Sequence, residues 1–225
     1  MEKIIDLHVN FYEEIMAEPE VTTIFERENI KVLDGFIQNI DLVRTYYQTF
    51  YETGSDRIVL CGINPGKLGA GKTGIPFLDF QSVSQLFSDI QLSDSERSAQ
   101  FIWSVMNEIG IDDFYDHVYM TNISWFGFTK NGNNLNYYDL PGSLSETFTS
   151  SFITEMEIVK PSVIIPLSEK VEQTLKQMVN KGDLRYPIAE RLAHPYFCSI
   201  GKNEPKYKQI YLEKISSFIN VSSKF

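Results

Sequence analysis

The chain has 225 residues, of which 43% are hydrophobic and 22% charged, and its formal net charge at pH 7 is −10. That length and apolar content can bury one sizeable core. The composition excludes several classes: no apolar run approaches the roughly 20 residues of a membrane span, no signal-peptide pattern opens the chain, and two cysteines are too few for a disulfide framework or an iron–sulfur cluster. We expect a cytoplasmic protein without a metal, and nothing in the sequence calls for a cofactor or an obligatory protein partner.

Helices are predicted wherever apolar residues recur at helical spacing. Residues 1–17 alternate apolar and acidic residues and predict an amphipathic helix, which Glu18-Pro19-Glu20 interrupts. Residues 24–33 are ambiguous between the two regular periods. The remaining predicted helices cover residues 36–51, 80–90, 99–109 (with a start as early as Asp94), 144–159, 169–180 and 207–218.

Four segments rich in apolar residues predict strands, at residues 57–62, 117–123, 162–167 and 186–192. Strands that alternate with helices favour a parallel sheet covered on both faces. We therefore predict an α/β fold, a three-layer α/β/α sandwich with a central four-stranded parallel sheet. It forms one domain over residues 1–225, with an N-terminal helical part (1–56), a core (57–194) and a closing loop and helix (195–225).

A loop of unusual composition follows the first predicted strand. Residues 62–77 contain five glycines and two prolines, and Asn64 stands at the carboxyl end of the strand. Ligands bind at that end of the strands in open α/β sheets. Glycines allow the backbone to approach a ligand closely. The pattern indicates an active-site loop.

One interpretation of this loop is a nucleotide-binding site. Residues 66–73 match the phosphate-loop template G-x-x-x-x-G-K-[ST], which needs a helix to begin at its Lys-Thr pair. Gly74 and Pro76 follow at once and disfavour a helix there. No apolar strand ending in Asp follows to hold magnesium. A P-loop NTPase is thus an outside alternative.

The other interpretation uses the whole loop. Gly62-Ile63-Asn64-Pro65-Gly66 followed by Thr73-Gly74-Ile75-Pro76-Phe77 resembles the first motif of the uracil-DNA glycosylase superfamily, closest to its single-strand-selective monofunctional (SMUG-type) branch. Ala193-His194-Pro195 resembles the second motif, and Asn122 fits the place of the pyrimidine-reading Asn. The resemblance implies a DNA repair glycosylase that hydrolyses the N-glycosidic bond of uracil, with residues 57–194 as its catalytic core.

The resemblance also implies roles for individual residues. Asn64 would orient the hydrolytic water, His194 would hydrogen-bond uracil O2 as a neutral or a charged donor, and Asn122 would read the pyrimidine edge. Two amides and an imidazole can position water and stabilise a departing anion, although an amide cannot act as a general base. Further substrate-binding residues are Gly62, Ile63, Pro65, Gly66 and Phe77, whose ring would stack on the base or, alternatively, pack in the core.

A target base must be single-stranded or flipped out of a duplex. The second motif departs from the family pattern, because its usual wedge position falls on Cys198 in Tyr196-Phe197-Cys198-Ser199. Tyr196 or Phe197 could intercalate instead, or pack under the final helix. The expected DNA-binding residues, for uracil-containing DNA that is single- or double-stranded, are Lys67, Lys72, Tyr196, Phe197 and Lys202. The net charge predicts weak, salt-sensitive binding and leaves a catalytically silent nucleic-acid-binding relative as an alternative.

Two further features bear on function. Residues 124–140 form a long loop rich in Asn and aromatic residues, which is equally consistent with a functional segment and with an insertion packed by its own aromatics. At Gly66 some uracil-DNA glycosylases carry a Tyr that blocks the pyrimidine C5 position. The Gly predicts an open or water-filled wall there. Uracil and, more weakly, 5-hydroxymethyluracil are the expected substrates, and thymine is expected to be processed poorly.

Overall fold

The computed structural model describes residues 1–52 and 56–222, with side chains to residue 219. The predicted parts 1–56 and 195–225 each include residues outside that description. The helices are α1 (Glu2–Ala17), α2 (Pro19–Glu28), α3 (Gly35–Gln38), α4 (Ile40–Tyr51), α5 (Ala70–Thr73), α6 (Phe80–Leu86), α7 (Arg97–Ile109), α8 (Ile111–His117), α9 (Leu144–Thr147), α10 (Ser150–Val159), α11 (Glu169–Lys181), α12 (Pro195–Cys198) and α13 (Asn203–Ser222). The strands are β1 (Ile30–Val32), β2 (Ile58–Gly62), β3 (Val118–Asn122), β4 (Phe128–Lys130), β5 (Asn133–Leu135) and β6 (Val163–Pro166), and a 3₁₀-helix covers Tyr137–Asp139.

The central sheet has the strand order β3-β2-β6, and all of its pairs are parallel. Every residue of these three strands is buried, which agrees with a sheet covered on both faces. Gly62 at the end of β2 pairs with Asn122 at the end of β3. The carboxyl ends of the strands therefore share one edge of the sheet, and the motif residues follow from it.

The prediction of four regular strands is wrong in the described residues. The segment 186–192 runs beside β6 but is reduced to one parallel bridge, between Ile164 and Ile188. The Ile164 N–H donates to the carbonyl of Pro187 at 2.9 Å. Extending this ladder would require N–H groups from Pro166 at one end and from Pro187 at the other. Proline has no N–H, so the strand stops on both sides of the bridge.

The predicted helices lie at the positions of observed helices, but several of them differ in where they begin and end. The segment 36–51 is split into α3 and α4 at Asn39, whose side-chain amide donates to the carbonyl oxygens of Gly35 (3.0 Å) and Lys72 (2.8 Å). The segment 144–159 is likewise split into α9 and α10. α7 begins at Arg97 rather than near Asp94, and α8 and α12 were not predicted.

The predicted loop 124–140 contains a β-hairpin. β4 pairs with β5 and, on its other side, with β1 in a small antiparallel sheet. The turn between β4 and β5 is Asn131-Gly132, and both residues have positive φ angles, 50° and 76°. Asn-Gly is the preferred pair for such a two-residue turn. The signal for the hairpin was therefore present in the sequence.

A chain of polar contacts crosses the aromatic core. The Tyr119 hydroxyl on β3 donates to Glu155 Oε1 on α10 at 2.8 Å and lies 3.4 Å from the Tyr47 hydroxyl on α4. His8 on α1 stacks on Trp125, with its Nε2 3.4 Å from Glu155 Oε2. Burial lowers the pKa of His8 and keeps the ring neutral. These contacts tie α1, α4 and α10 to the central sheet.

No helix of the described residues has the length and apolar character that crossing a membrane demands.

Replacing Glu155 with Ala should lower the free energy of unfolding by on the order of 3 kcal/mol, because the buried Tyr119 hydroxyl loses the carboxyl group that accepts its hydrogen bond and the His8 ring loses the carboxyl oxygen 3.4 Å from its Nε2. Urea denaturation measures the change. The control is Glu157→Ala on the same helix, whose exposed ion pair with Arg185 should contribute at most about 1 kcal/mol. Similar losses in the two variants would contradict this account of the core.

Candidate active site

A cleft with a cavity volume of about 170 Å³ opens at the carboxyl edge of the central sheet. It is lined by Asn64, Asn122 and His194, which are far apart in the sequence and come from the ends of β2, β3 and the segment after the bridge to β6. The other lining residues are Ile63, Pro65, Gly66, Ala70, Phe77, Glu96, Ser98, Asn134, Asn136 and Tyr196. Gly62 lies behind this lining.

Asn64 is held in one orientation by the hairpin segment. Its Oδ1 accepts the backbone N–H of Tyr137 at 3.0 Å, and its Nδ2 donates to the carbonyl of Leu135 at 3.3 Å and to that of Pro65 at 3.2 Å. The N–H contact fixes which end of the amide is oxygen. Oδ1 keeps a second lone pair, which can accept a hydrogen bond from water in the cleft.

The same hairpin is bound to the glycine loop. Asn134 Oδ1 accepts the backbone N–H of Lys67 at 3.0 Å, and the Lys67 ammonium donates to the carbonyl of Gly132 at 2.5 Å. The aromatic residues Trp125, Phe126 and Phe128 of the segment are buried in the core. Residues 124–140 thus have features of both interpretations, the packed insertion and the functional segment. Their aromatic side chains pack in the core, and their polar groups hold the glycine loop in position.

Asn122 and Phe77 meet at Gly62. A Cβ at Gly62 would overlap Asn122 Oδ1 and come 2.5 Å from Cζ of Phe77, so only glycine fits there. Asn122 is 4% exposed, and within residues 1–52 and 56–222 its side-chain amide has no hydrogen-bond partner. The amide faces the cleft, where a ligand with a matching donor and acceptor would pair with it.

Phe77 is half-buried, packs against the core and lines the cleft, so its ring serves both of the predicted environments. Its φ of 61° is in the left-handed region, which is a genuine outlier for a bulky residue. Strained backbone of this kind persists where the surrounding structure enforces it, and it concentrates at functional sites. The local hydrogen bonds from Thr73 Oγ1 to the Leu78 carbonyl (2.8 Å) and from Ile75 N–H to Thr73 Oγ1 (3.1 Å) hold this turn.

His194 caps the short helix α12. Its Nδ1 accepts the backbone N–H of Tyr196 at 3.1 Å, and the preceding Leu192 N–H donates to the Pro166 carbonyl of β6 at 2.8 Å. With Nδ1 acting as acceptor, the neutral ring carries its proton on Nε2. Burial lowers the pKa of His194. The structure therefore favours, of the two forms that the sequence left open, a neutral imidazole whose Nε2–H can donate into the cleft.

The expectation of an open or water-filled wall beside Gly66 is wrong in its first part, because a side chain from another segment lies at that wall. The carboxyl group of Glu96 lies against the backbone there, and a Cβ at Gly66 would overlap Oε1 while one at Gly69 would overlap Oε2. Burial and, secondarily, the charge of Asp79 raise the pKa of Glu96 to about 7. The cleft thus contains a titratable carboxyl group that sequence reasoning did not identify.

The aromatic residues after His194 lie at the mouth of the cleft. Tyr196 is 51% exposed and lines the cavity, and Phe197 is 49% exposed with its ring edge-on to Tyr207 of α13. Cys198, at the position where the family places its wedge, is fully buried. Cys198 therefore cannot enter a base stack, whereas the exposed ring of Tyr196 can.

The predicted basic residues differ in their partners. Lys72 forms an ion pair with Asp94 at 2.7 Å, and Lys67 is engaged with the hairpin as described above. Lys202 is exposed in the turn between α12 and α13, and its ammonium has no ion-pair partner in the part of the chain that the structure describes. Of the three lysines, Lys202 is the most available for a phosphate group.

The loop does not have the geometry of a phosphate loop. α5 ends at Thr73, and Gly74 follows in a left-handed conformation with φ 78°. The Thr73 hydroxyl is fully buried and donates to Leu78, while the Lys72 ammonium is paired with Asp94. No helix N-terminus forms at the Lys-Thr pair, so the arrangement that would hold nucleotide phosphates is missing from this loop.

The described residues contain no group of three or more His, Cys, Asp or Glu side chains that could hold a metal ion. Cys61 and Cys198 are buried free thiols, and burial raises the pKa of Cys198 to about 12 and that of Cys61 well above its ordinary value. Neither thiol is poised to act as a nucleophile.

Comparisons with known proteins identify the family of this chain. The sequence model of the family described as "Uracil DNA glycosylase superfamily" matches residues 49–216. The chain belongs to the uracil-DNA glycosylase superfamily. The crystal structure of wild-type SMUG2 from Pedobacter heparinus is similar, with 27% sequence identity and a TM-score of 0.70 over 87% of this chain and 89% of that chain. This similarity supports the SMUG-type branch of the superfamily. A search of curated proteins gave no match.

Several residues of this uracil-DNA glycosylase-family cleft were not predicted. Asn134 and Asn136 follow from the hairpin, for which the Asn131-Gly132 turn and the Asn-rich composition were usable signals. Glu96 precedes α7 in a stretch without strand or motif character. Nothing local in the sequence indicates that this carboxyl group would reach the glycine loop.

The protonation of His194 is directly testable by NMR. We expect it to titrate below its ordinary value of 6.5 and to carry its proton on Nε2 at pH 7, because burial disfavours the charged ring and Nδ1 accepts the Tyr196 N–H. Long-range ¹⁵N–¹H spectra report both properties, and His194→Gln assigns the signals. Titration above 6.5, or a proton on Nδ1, would contradict the hydrogen-bond scheme.

Proposed function

We propose that the protein is a monofunctional uracil-DNA glycosylase that hydrolyses the N-glycosidic bond of uracil in DNA with water and leaves an abasic site. The observation that carries the proposal is the convergence of Asn64, Asn122 and His194 on one cleft. Hydrogen bonds orient Asn64 and His194 and leave each with a free acceptor or donor, and the Asn122 amide has no partner within the described residues. Membership of the superfamily and the similarity to SMUG2 support it.

Base recognition follows from the amide of Asn122. Its N–H can donate to uracil O4 and its carbonyl can accept from N3–H, which would satisfy a side chain that lacks partners in the described protein. Cytosine has a donor at position 4 and no proton on N3, so an amide held in this orientation would be left unpaired. Sites that leave buried polar groups unpaired reject such analogues strongly. Phe77 would supply the stacking surface.

The chemistry needs no carboxylate nucleophile. The glycosidic bond can break largely before water attacks, giving an oxocarbenium-like sugar and a uracil anion. The Nε2–H of His194 would donate to O2 as negative charge develops on the base, and a donor placed in advance is effective in a site that excludes water. The lone pair of Asn64 Oδ1 would hold the attacking water.

DNA would approach the mouth of the cleft at α12. Tyr196 offers an exposed ring beside the cavity, suited to stacking on a neighbouring base or filling the gap left by a flipped one. Lys202 is near in sequence, and its ammonium, which has no ion-pair partner among residues 1–52 and 56–222, could meet a phosphate. With a net charge of −10, the binding should be weak and salt-sensitive.

Two substitutions test the assigned catalytic groups. Asn64→Ala should reduce uracil excision by on the order of 10² or more through loss of the oriented water. His194→Ala should reduce it by about 10²–10³, the usual loss for one preorganised donor. Single-turnover release from uracil-containing single-stranded DNA, followed by alkaline cleavage of abasic sites, gives the rates.

The control for these variants is Asn180→Ala, an exposed amide at the end of α11. Excision at the parental rate by both Asn64→Ala and His194→Ala would refute the site. A parent that binds this DNA and releases no uracil would instead indicate the catalytically silent relative.

A monofunctional enzyme should form no covalent adduct with DNA. The ammonium groups of Lys67 and Lys72 are held by Gly132 and Asp94, and the proposed attacker is water. Borohydride should therefore trap no protein–DNA complex, and the product strand should stay intact until alkali is added. A trapped Schiff base would assign the attack to an amine, and Lys67→Ala and Lys72→Ala would then identify which one.

A further inference from the structure

Glu96 brings a carboxyl group without a partner into the cleft. Its backbone N–H donates to Asp79 Oδ2 at 2.7 Å, which fixes the start of α7. Glu96 occupies the N-cap position of that helix, yet its side chain accepts no hydrogen bond from the helix. In the described residues its carboxyl oxygens have neither a hydrogen bond nor an ion pair. An acceptor at a helix N-terminus normally binds the free N–H groups there, so this side chain is directed elsewhere.

The side chain lies against the glycine loop. Its two oxygens fill the spaces that side chains at Gly66 and Gly69 would occupy. Gly66 has no left-handed φ, so a positive φ does not require glycine there, whereas Gly69 has φ −112° and ψ −113°, outside the regions that residues with a Cβ favour. What Gly66 provides is room for the Glu96 carboxyl group. The loop and the carboxyl group thus form one wall of the cleft together.

The proposed function, on which this inference rests, indicates which edge of the base would face the wall formed by the glycine loop and Glu96. Asn122 would take the N3–O4 edge of uracil, and His194 would take O2. The edge of the ring that remains is C5–C6. Gly66 and Glu96 line the same cavity at a different part of the loop from Gly62, where Asn122 is packed.

We propose that Glu96 is a specificity-determining residue that contacts the C5 substituent of the base, favouring a hydroxyl-bearing group and rejecting a methyl group. A hydroxymethyl group at C5 would hydrogen-bond to the carboxyl group. A methyl group would cover a half-buried carboxyl group without offering it a partner, which is unfavourable. Uracil itself, with only a hydrogen at C5, would leave space for a bridging water molecule.

Glu96 would favour a hydroxymethyl group over a methyl group in either of its protonation states. The pKa of Glu96 is raised to about 7 by burial and by Asp79, so the charged and neutral forms coexist near neutral pH. The carboxylate accepts a hydrogen bond from a hydroxyl, and the carboxylic acid donates one to the hydroxyl oxygen. A methyl group can do neither.

The test compares excision of uracil, 5-hydroxymethyluracil and thymine from otherwise identical single-stranded oligonucleotides under single-turnover conditions. Glu96→Ala should lower the rate for 5-hydroxymethyluracil relative to uracil by about tenfold, the effect of one ordinary hydrogen bond, and should raise the relative rate for thymine. Glu96→Gln keeps the size and the hydrogen-bonding ability and should lose less. Glu108→Ala is the matched control, an exposed carboxyl at the far end of α7 paired with Lys208, and should change neither ratio.

A double-mutant cycle tests the contact itself. Gly66→Ala should displace the carboxyl group and lower the 5-hydroxymethyluracil to uracil ratio as Glu96→Ala does. In the Glu96→Ala background the same substitution should have little further effect, because the group that it displaces is gone. Thermal unfolding checks that each variant folds. If Gly66→Ala does not fold, the excision ratios of Glu96→Ala and Glu96→Gln alone test the proposed role of Glu96.

The outcomes separate this inference from the proposed function. A parent that releases no uracil refutes the proposed function. A parent that releases uracil while Glu96→Ala retains both parental ratios refutes the inference and leaves the function standing. A parent that excises uracil but no 5-hydroxymethyluracil also overturns the inference.

Discussion

At Gly62 the backbone passes directly beside the side chains of Asn122 and Phe77, with no space for a Cβ. This close approach determines the rest of the site. It places the Asn122 amide, on the neighbouring strand, next to an aromatic ring that arrives from the far end of the glycine loop. The parallel register that pairs Gly62 with Asn122 makes the approach possible. The strained φ of Phe77 is part of the same arrangement, and the hydrogen bonds of Thr73 hold the turn that contains it.

A second constraint comes from the hairpin of β4 and β5. Its backbone at Leu135 and Tyr137 holds the amide of Asn64, and its Asn134 side chain holds the backbone of Lys67. The glycine loop is therefore oriented by a segment more than sixty residues away in the sequence. The hairpin is itself held in place by buried aromatic residues and by its pairing with β1. It can therefore fix the orientation of the Asn64 amide, which is proposed to bind the attacking water.

The distribution of charge around the cleft is unusual for a protein proposed to act on DNA. Lys72 is neutralised by Asp94, and a carboxyl group, Glu96, lines the pocket. Such a surface gives little of the phosphate attraction on which most DNA-binding proteins depend. The exposed ring of Tyr196 suggests that stacking on bases contributes a larger share of the proposed binding, as in proteins that hold single strands.

The sequence by itself determined the parts of this protein that depend on local pattern. Three of the predicted buried strands and the approximate places of the long helices were predicted correctly because apolar periodicity is a local property, and Asn64, Asn122 and His194 were selected by local motifs. Their convergence followed from the rule that parallel strands end at one edge of a sheet. Tertiary structure decided the rest. The fourth strand was lost to Pro166 and Pro187, whose missing N–H groups matter only once the two segments lie side by side. The Nε2 tautomer of His194 depends on the fold of α12, and the presence of Glu96 beside Gly66 depends on the packing of α7 against a loop distant in sequence. Contacts between segments that are far apart along the chain do not change the pattern of apolar residues in either segment, so that pattern could not predict them.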